Sequence, residues 1–327
     1  MPQKQPVQSV ANTPAVNQEP TLNIESVTLG DLTWLNIEKP TMQETEYLAQ
    51  HYPFHALDLD DTLSRIQRPK IDEYEDYLFV VLHFPVWHRE TQVAAASQVS
   101  IFIGKNYVVT LHNGEIRVLR ELFQNCGSSD VARQTNMSQG SAFLMYKIID
   151  ALVDRCFTIL DRILTWTDSV ENAVFDENIE TAVEIARLRR DVITHRRIIW
   201  PLRSVIGELE TKLRRFATID FEVYFGDVMD HLNKIWDTLD EVKETIEVFK
   251  DADYILSNER LGRIMRVLTV LATVVLPFLI VSSIYGMNVH MPGSIEPGNH
   301  FTFWILMAVM TAFAGGMLWF FRRKHWI

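Results

Sequence analysis

Apolar positions come in short strand-like runs between Asn23 and Leu111, then at helical spacing from Ser141 onward. The runs Asn23–Val27, Leu32–Ile37, Leu78–Val86, Gln98–Ile103 and Tyr107–Leu111 are rich in β-branched or aromatic residues and bounded by Gly, Pro, Asn or charge, which predicts strands. Thr41–His51, His55–Leu63 and Glu115–Phe123 are predicted as helices, the first opened by a Thr-x-x-Glu capping box at Thr41 and Glu44. The pattern specifies an α/β domain and leaves its strand order open.

Beyond Ser141, Leu144, Ile148, Leu152, Cys156 and Ile159 recur at helical spacing, and no strand signal survives. Pro201 falls inside a second long helix and is expected to kink it or start a new one. From about Phe216 a helix can continue into an apolar segment.

Two segments near the end carry no formal charge: nineteen residues from Val267 to Tyr285 and twenty-one from Phe301 to Phe321. At roughly 1.5 Å per residue each is long enough to cross a bilayer core. Arg260, Arg263 and Arg266 precede the first, Arg322, Arg323 and Lys324 follow the second, and the loop between holds neither Lys nor Arg, which places both termini in the cytoplasm. The expected order is a disordered tail (1–22), a cytoplasmic α/β domain (23–140), a cytoplasmic helical stalk (141–263), a first transmembrane helix (264–286), an external loop (287–300), a second transmembrane helix (301–321) and a basic cytoplasmic tail (322–327). Residues 1–22 have no continuous apolar run, so no signal peptide is expected.

Charge and cysteine usage narrow the function. A net charge of −11 argues against a nucleic-acid partner and suits a protein that handles cations. Cys126 and Cys156 lack Cys-x-x-Cys spacing and read as reduced structural thiols. No catalytic constellation and no Gly-rich phosphate loop is visible, so the chain reads as a non-enzyme. Two spans cannot wall a hydrated pore on all sides, so a conducting form must be an oligomer.

Tyr285-Gly286-Met287-Asn288 at the end of the first span, followed by Met291-Pro292, resembles the CorA family of magnesium channels, within the broader group of two-span proteins with a Gly-x-Asn motif. Arg68-Pro69-Lys70, Gln98-Val99-Ser100, Asp150-Ala151-Leu152-Val153-Asp154 and Ile199-Trp200-Pro201-Leu202-Arg203 extend that resemblance upstream, in the family's order. It implies a funnel-like homopentamer in the inner membrane, taking up Mg2+ with Co2+ or Ni2+ as further cargo. The first span would line the pore and the second face lipid.

On the first span Met265, Leu268, Ala272, Leu276, Leu279 and Ser283 share one helical face. Such a stripe suits packing in an arbitrary membrane helix, whereas the resemblance implies a hydrophobic gate. At the mouth, the Asn288 amide and the Gly286 carbonyl are neutral oxygens suited to a hydrated Mg2+ ion, with Met287 shaping the opening. Asn288 read locally is also a common helix C-terminal residue. Gly293 stands where many family members carry an acidic residue, and Gly262 where many carry Asn. His290 and His300 read as surface histidines.

Asp220 to Glu259 holds twelve acidic residues against three lysines, mostly a solvated face. The resemblance singles out Asp227, with acidic residues at Asp60 and Asp61 expected opposite it on the neighbouring subunit. A regulatory Mg2+ bridging them would hold the channel shut, and Asp251 and Asp253 are further candidate metal ligands. The arginines at 187, 189, 190, 196 and 197 read as partners of the acidic helices. The alternatives are a ZntB-like proton-coupled zinc transporter and a non-conducting, membrane-anchored cation sensor.

Overall fold

The computed structural model describes residues 22–64, 67–88, 93–176, 181–217, 219–287, 301–324 and 326. They form two compact units, one made of the described residues within 1–169 and 186–246, the other of those within 170–185 and 247–327.

The first unit is built on a six-stranded sheet: β1 (Ile24–Leu29), β2 (Leu32–Glu38), β3 (Lys70–Glu73), β4 (Tyr77–His88), β5 (Val93–Gly104) and β6 (Tyr107–His112). The spatial order is β1-β2-β6-β5-β4-β3, with β2 and β6 parallel and every other neighbouring pair antiparallel. Between β2 and β3 lie α1 (Met42–His51) and α2 (Ala56–Leu63), and after β6 come α3 (Arg117–Ser128) and α4 (Asp130–Met137). The sheet and three of these helices match the expectation, whereas β3 and α4 were not anticipated. The capping box forms as expected: Thr41 N donates to Glu44 Oε2 at 2.9 Å, and the Thr41 hydroxyl accepts from Gln43 N at 3.3 Å.

Both sheet faces are covered, which explains why β4 reads as a nearly continuous apolar run. Leu35, Ile37, Phe79, Phe102 and Val109 pack with Leu48, Phe54 and Leu59 from the α1–α2 segment. On the opposite face Trp34 meets the Phe123 ring edge-on at 5.0 Å and donates through Nε1 to Thr110 Oγ1. Thr110 in turn donates to the Asn36 side-chain oxygen, which also lies 3.2 Å from His112 Nε2. Burial pushes the His112 pKa down to about 4, so this ring stays neutral inside the sheet. Pro85 is tolerated because β3 pairs only with Leu78–Val81, so among the described residues that part of β4 has no strand partner on its outer side.

Three long helices follow: α5 (Ser141–Val174), α6 (Ala182–Leu213) and α7 (Glu222–Tyr285). α6 runs on through Pro201, so no new helix begins there. α7 starts at Glu222, after a short 3-10 turn at Arg214–Phe216, rather than at Phe216. It gives 222–246 to the first unit and 247–285 to the second. α8 (Phe301–Arg323) completes the second unit's described helices. Cys126 and Cys156 are free and buried.

Candidate functional site

Two helices, α7 and α8, are long and apolar enough to cross a membrane, and their apolar windows are 6% and 0% buried. Leu279 is 63% exposed and Trp304 67%. An uncovered apolar surface of this extent requires lipid or another protein surface against it.

The apolar part of α7 has two unlike sides. Val270 is buried and Val274 and Val281 are half-buried. Met265, Leu268, Ala272, Leu276, Leu279 and Ser283 are all exposed. Ala272, Leu276 and Ser283 each follow one of those valines by two residues, about 200° around a helix turning roughly 100° per residue. The face singled out in the sequence therefore lies opposite the covered stripe.

At the end of this helix, Gly286 N donates to Ser282 O at 2.9 Å and Met287 N to Ile284 O at 3.2 Å. A Cβ on Gly286 would sit 3.0 Å from the Ser282 carbonyl oxygen, so the tight turn out of the helix favours glycine. Asn288, Gly293, His290 and His300 lie outside the described residues.

The candidate regulatory carboxylates differ from one another. Asp60 on α2 is exposed and has no side-chain partner among the described residues. Asp61, next along α2, is half-buried, ion-pairs with Lys70 at 2.6 Å and accepts from Gln67 Nε2 at 2.8 Å. Asp58, one turn earlier, is buried and accepts from the Tyr74 and Tyr77 hydroxyls; burial dominates and raises its pKa.

Asp227 is 63% exposed on α7, 3.9 Å from His231 Nε2. His231 Nδ1 lies 3.4 Å from Asp154 Oδ1 on α5. The Asp150 pKa is raised by burial first and then by the Asp154 charge, with Asp227 adding to it. Asp150 and Asp154, spaced one helical turn apart, thus extend the acidic surface beside Asp227. Sequence reasoning quoted these two only as part of a family segment; their i,i+4 spacing was the available signal.

Asp253 accepts a 2.6 Å hydrogen bond from the buried Thr181 hydroxyl, while Asp251 is exposed. Among the described residues no group of three or more His, Cys, Asp or Glu side chains is arranged to hold a metal. In the basic cluster of α6, Arg196 ion-pairs with Asp240 of α7, as expected of a partner for the acidic helix.

The profile of the CorA-like Mg2+ transporter protein family matches residues 30–323. Over 302 residues the chain is 29% identical to the cobalt/magnesium transport protein CorA of Thermotoga maritima, covering 90% of this chain and 83% of that protein. Over 261 residues it is 20% identical to the zinc transport protein ZntB of Pectobacterium carotovorum, covering 80% and 77%. The complete structure of the CorA magnesium transporter from Methanocaldococcus jannaschii has the same fold, with a TM-score of 0.76 at 21% identity over 92% of this chain and 94% of that one. With β2 to β6, the long helices and the two apolar helices all inside the matched region, the chain belongs to the CorA-like Mg2+ transporter family.

Proposed function

We propose that the chain is one subunit of a homo-oligomeric divalent-cation channel, a homopentamer in the inner membrane with both termini in the cytoplasm, that takes up Mg2+ and also accepts Co2+ or Ni2+. The observation that carries this reading is the exposed face of α7, Met265 through Ser283, leading to Gly286 and Met287. Copies of that face would wall a pore with a hydrophobic constriction, which closes by narrowing and dewetting. Asn288 would complete the mouth with a neutral oxygen that meets the ion through its water shell. Entry needs no nucleotide hydrolysis, because the membrane potential supplies about 2.3 kcal/mol per charge per 100 mV.

Internal Mg2+ would close the channel by bridging Asp227 of one subunit to the Asp60–Asp61 edge of the next, with Asp251 and Asp253 as further ligands. Exposed carboxylates are hard oxygen ligands that suit Mg2+, and unbridged they repel one another. The ion thereby favours the closed arrangement.

The zinc transport proteins among the relatives support a second reading, proton-coupled zinc transport. Flux of Mg2+, Co2+, Ni2+ and Zn2+ into liposomes holding the purified protein, with and without an imposed pH gradient, separates the two. Mg2+ entry independent of the pH gradient is the expected result. Zinc entry that follows the gradient would favour the second reading, and absence of any flux would leave a cation-binding membrane receptor.

A further inference from the structure

The first unit contains a cavity of ≈ 890 Å3 between the far end of β4, the turn into α3, and α5. Nothing in the transport reading uses it. Its size falls within the range of small-molecule sites, about 300–1,000 Å3.

The lining reverses the sign of the whole chain. Arg117, Arg120, Arg155 and Arg162 stand against a single carboxylate, Glu115, in a protein of net charge −11. The four arginines are engaged differently. Arg120 is taken by Glu38, to which both Nε and Nη2 donate. Arg162 lies over Trp87, with Cζ 3.2 Å from the ring centre, and is 3.5 Å from the buried Asp191 carboxylate. Burial pulls its pKa below the ordinary value. Arg117 and Arg155 are exposed and have no partner among the described residues. Glu115 is already occupied, accepting from Asn113 Nδ2 at 2.7 Å.

Two uncommitted guanidinium groups beside a cavity call for an anion, and their planar forks match the oxygens of phosphate. The start of α3 adds to this, because its N-cap Ile116 offers no side-chain acceptor to the first-turn amides. Much of the remaining wall is apolar, with Leu152, Cys156 and Ile159 from α5 and Phe84 from β4 all buried side chains, while His88 and Thr158 add polar atoms. Inorganic phosphate has no use for such a wall; a phosphorylated molecule with a ring-shaped body does.

We propose that this cavity binds a small phosphorylated molecule with an apolar or ring-shaped body, nucleoside phosphates being the class that fits, its phosphates held by Arg117 and Arg155. The proposal is independent of ion conduction.

The test titrates ATP, inorganic pyrophosphate and adenosine, without divalent ions, into the purified full-length protein in detergent, read by calorimetry. ATP should bind more tightly than pyrophosphate, and adenosine should give no heat of binding. Replacing both Arg117→Ala and Arg155→Ala should weaken ATP about tenfold or more, the loss of two charge-assisted contacts. The thermal midpoint should stay at the parent's value, since neither side chain has a partner among the described residues. If that midpoint falls, the single replacements decide, each expected to weaken ATP by a few-fold. ATP binding unchanged in the double variant, or no ATP binding in the parent at millimolar concentration, would overturn the site. Equal affinity for pyrophosphate and ATP would overturn the nucleoside phosphate assignment.

Discussion

Lys70 places its ammonium 2.6 Å from Asp61 Oδ2 and 2.5 Å from Asp72 Oδ2. Burial pulls its pKa down, but the hydrogen bonds to the two carboxylates more than offset this and raise it, so the lysine stays charged. Of the two α2 carboxylates proposed to hold a regulatory ion, Asp61 is therefore already ion-paired within its own chain. Lys70→Met should release Asp61, and closure by internal Mg2+ should set in at a several-fold lower concentration. Flux from liposomes at stepped internal Mg2+ reads the shift; an unmoved or higher closing concentration counts against Asp61 as a ligand.

Among the described residues Asp60 has no such counter-charge, so the two neighbours should not contribute equally. Asp227→Ala, or Asp60→Ala with Asp61→Ala, should leave the channel open at internal Mg2+ that shuts the parent, and Asp60→Ala alone should weaken closure more than Asp61→Ala alone. Protease digestion checks the same point, because Mg2+ should protect the parent's soluble part far more than the variants'. Inhibition of the Asp227 variant at the parent's concentration would move the sensor to Asp251 and Asp253.

Asn288→Ala should bring Mg2+ entry down to the leak of empty liposomes while the oligomer still elutes at the parent's volume. The amide oxygen is the sole side-chain ligand of the Gly286-Met287-Asn288 tripeptide suited to a hard cation. Parental flux in this variant would remove the tripeptide from the filter.

Glu38 and Arg120 join β2 to α3, and the pairing has a pH signature. Hydrogen bonding from Arg120 holds the Glu38 carboxyl below its ordinary 4.5, against the opposing effect of burial. A carboxylate lowered in the folded state stabilises it above the unfolded pKa and loses that contribution as pH falls through the folded value. At neutral pH Glu38→Gln should cost about 1 kcal/mol, the scale of a partly exposed ion pair. The gap between the two thermal midpoints should shrink as pH is lowered below 4.5. A gap that stays constant under acid would show that the pair's charge contributes nothing.

Several features could be read residue by residue because their causes are local. Thr41 and Glu44 cap a helix across three positions, the α5 period needs only its own spacing, and an uncharged run of bilayer length is visible wherever it occurs. The order of Lys and Arg around the spans and the Gly286-Met287-Asn288 motif are likewise properties of the string alone. Together they specified the α/β unit, the helical region, the two spans and the family.

Pairing across distance could not be read that way. β3 is Lys70-Ile71-Asp72-Glu73, a run too short and polar to announce itself, and it becomes a strand through its pairing with Leu78–Val81. β2 lies parallel to β6, a partner some seventy residues onward that no local pattern names. The same non-local packing brings Lys70 onto Asp61, Asp154 beside His231, and Arg117, Arg155 and Arg162 around one cavity. Local propensity acts over a few residues, whereas these contacts arise when distant segments bury their apolar faces against one another, so their charged groups met only through the fold.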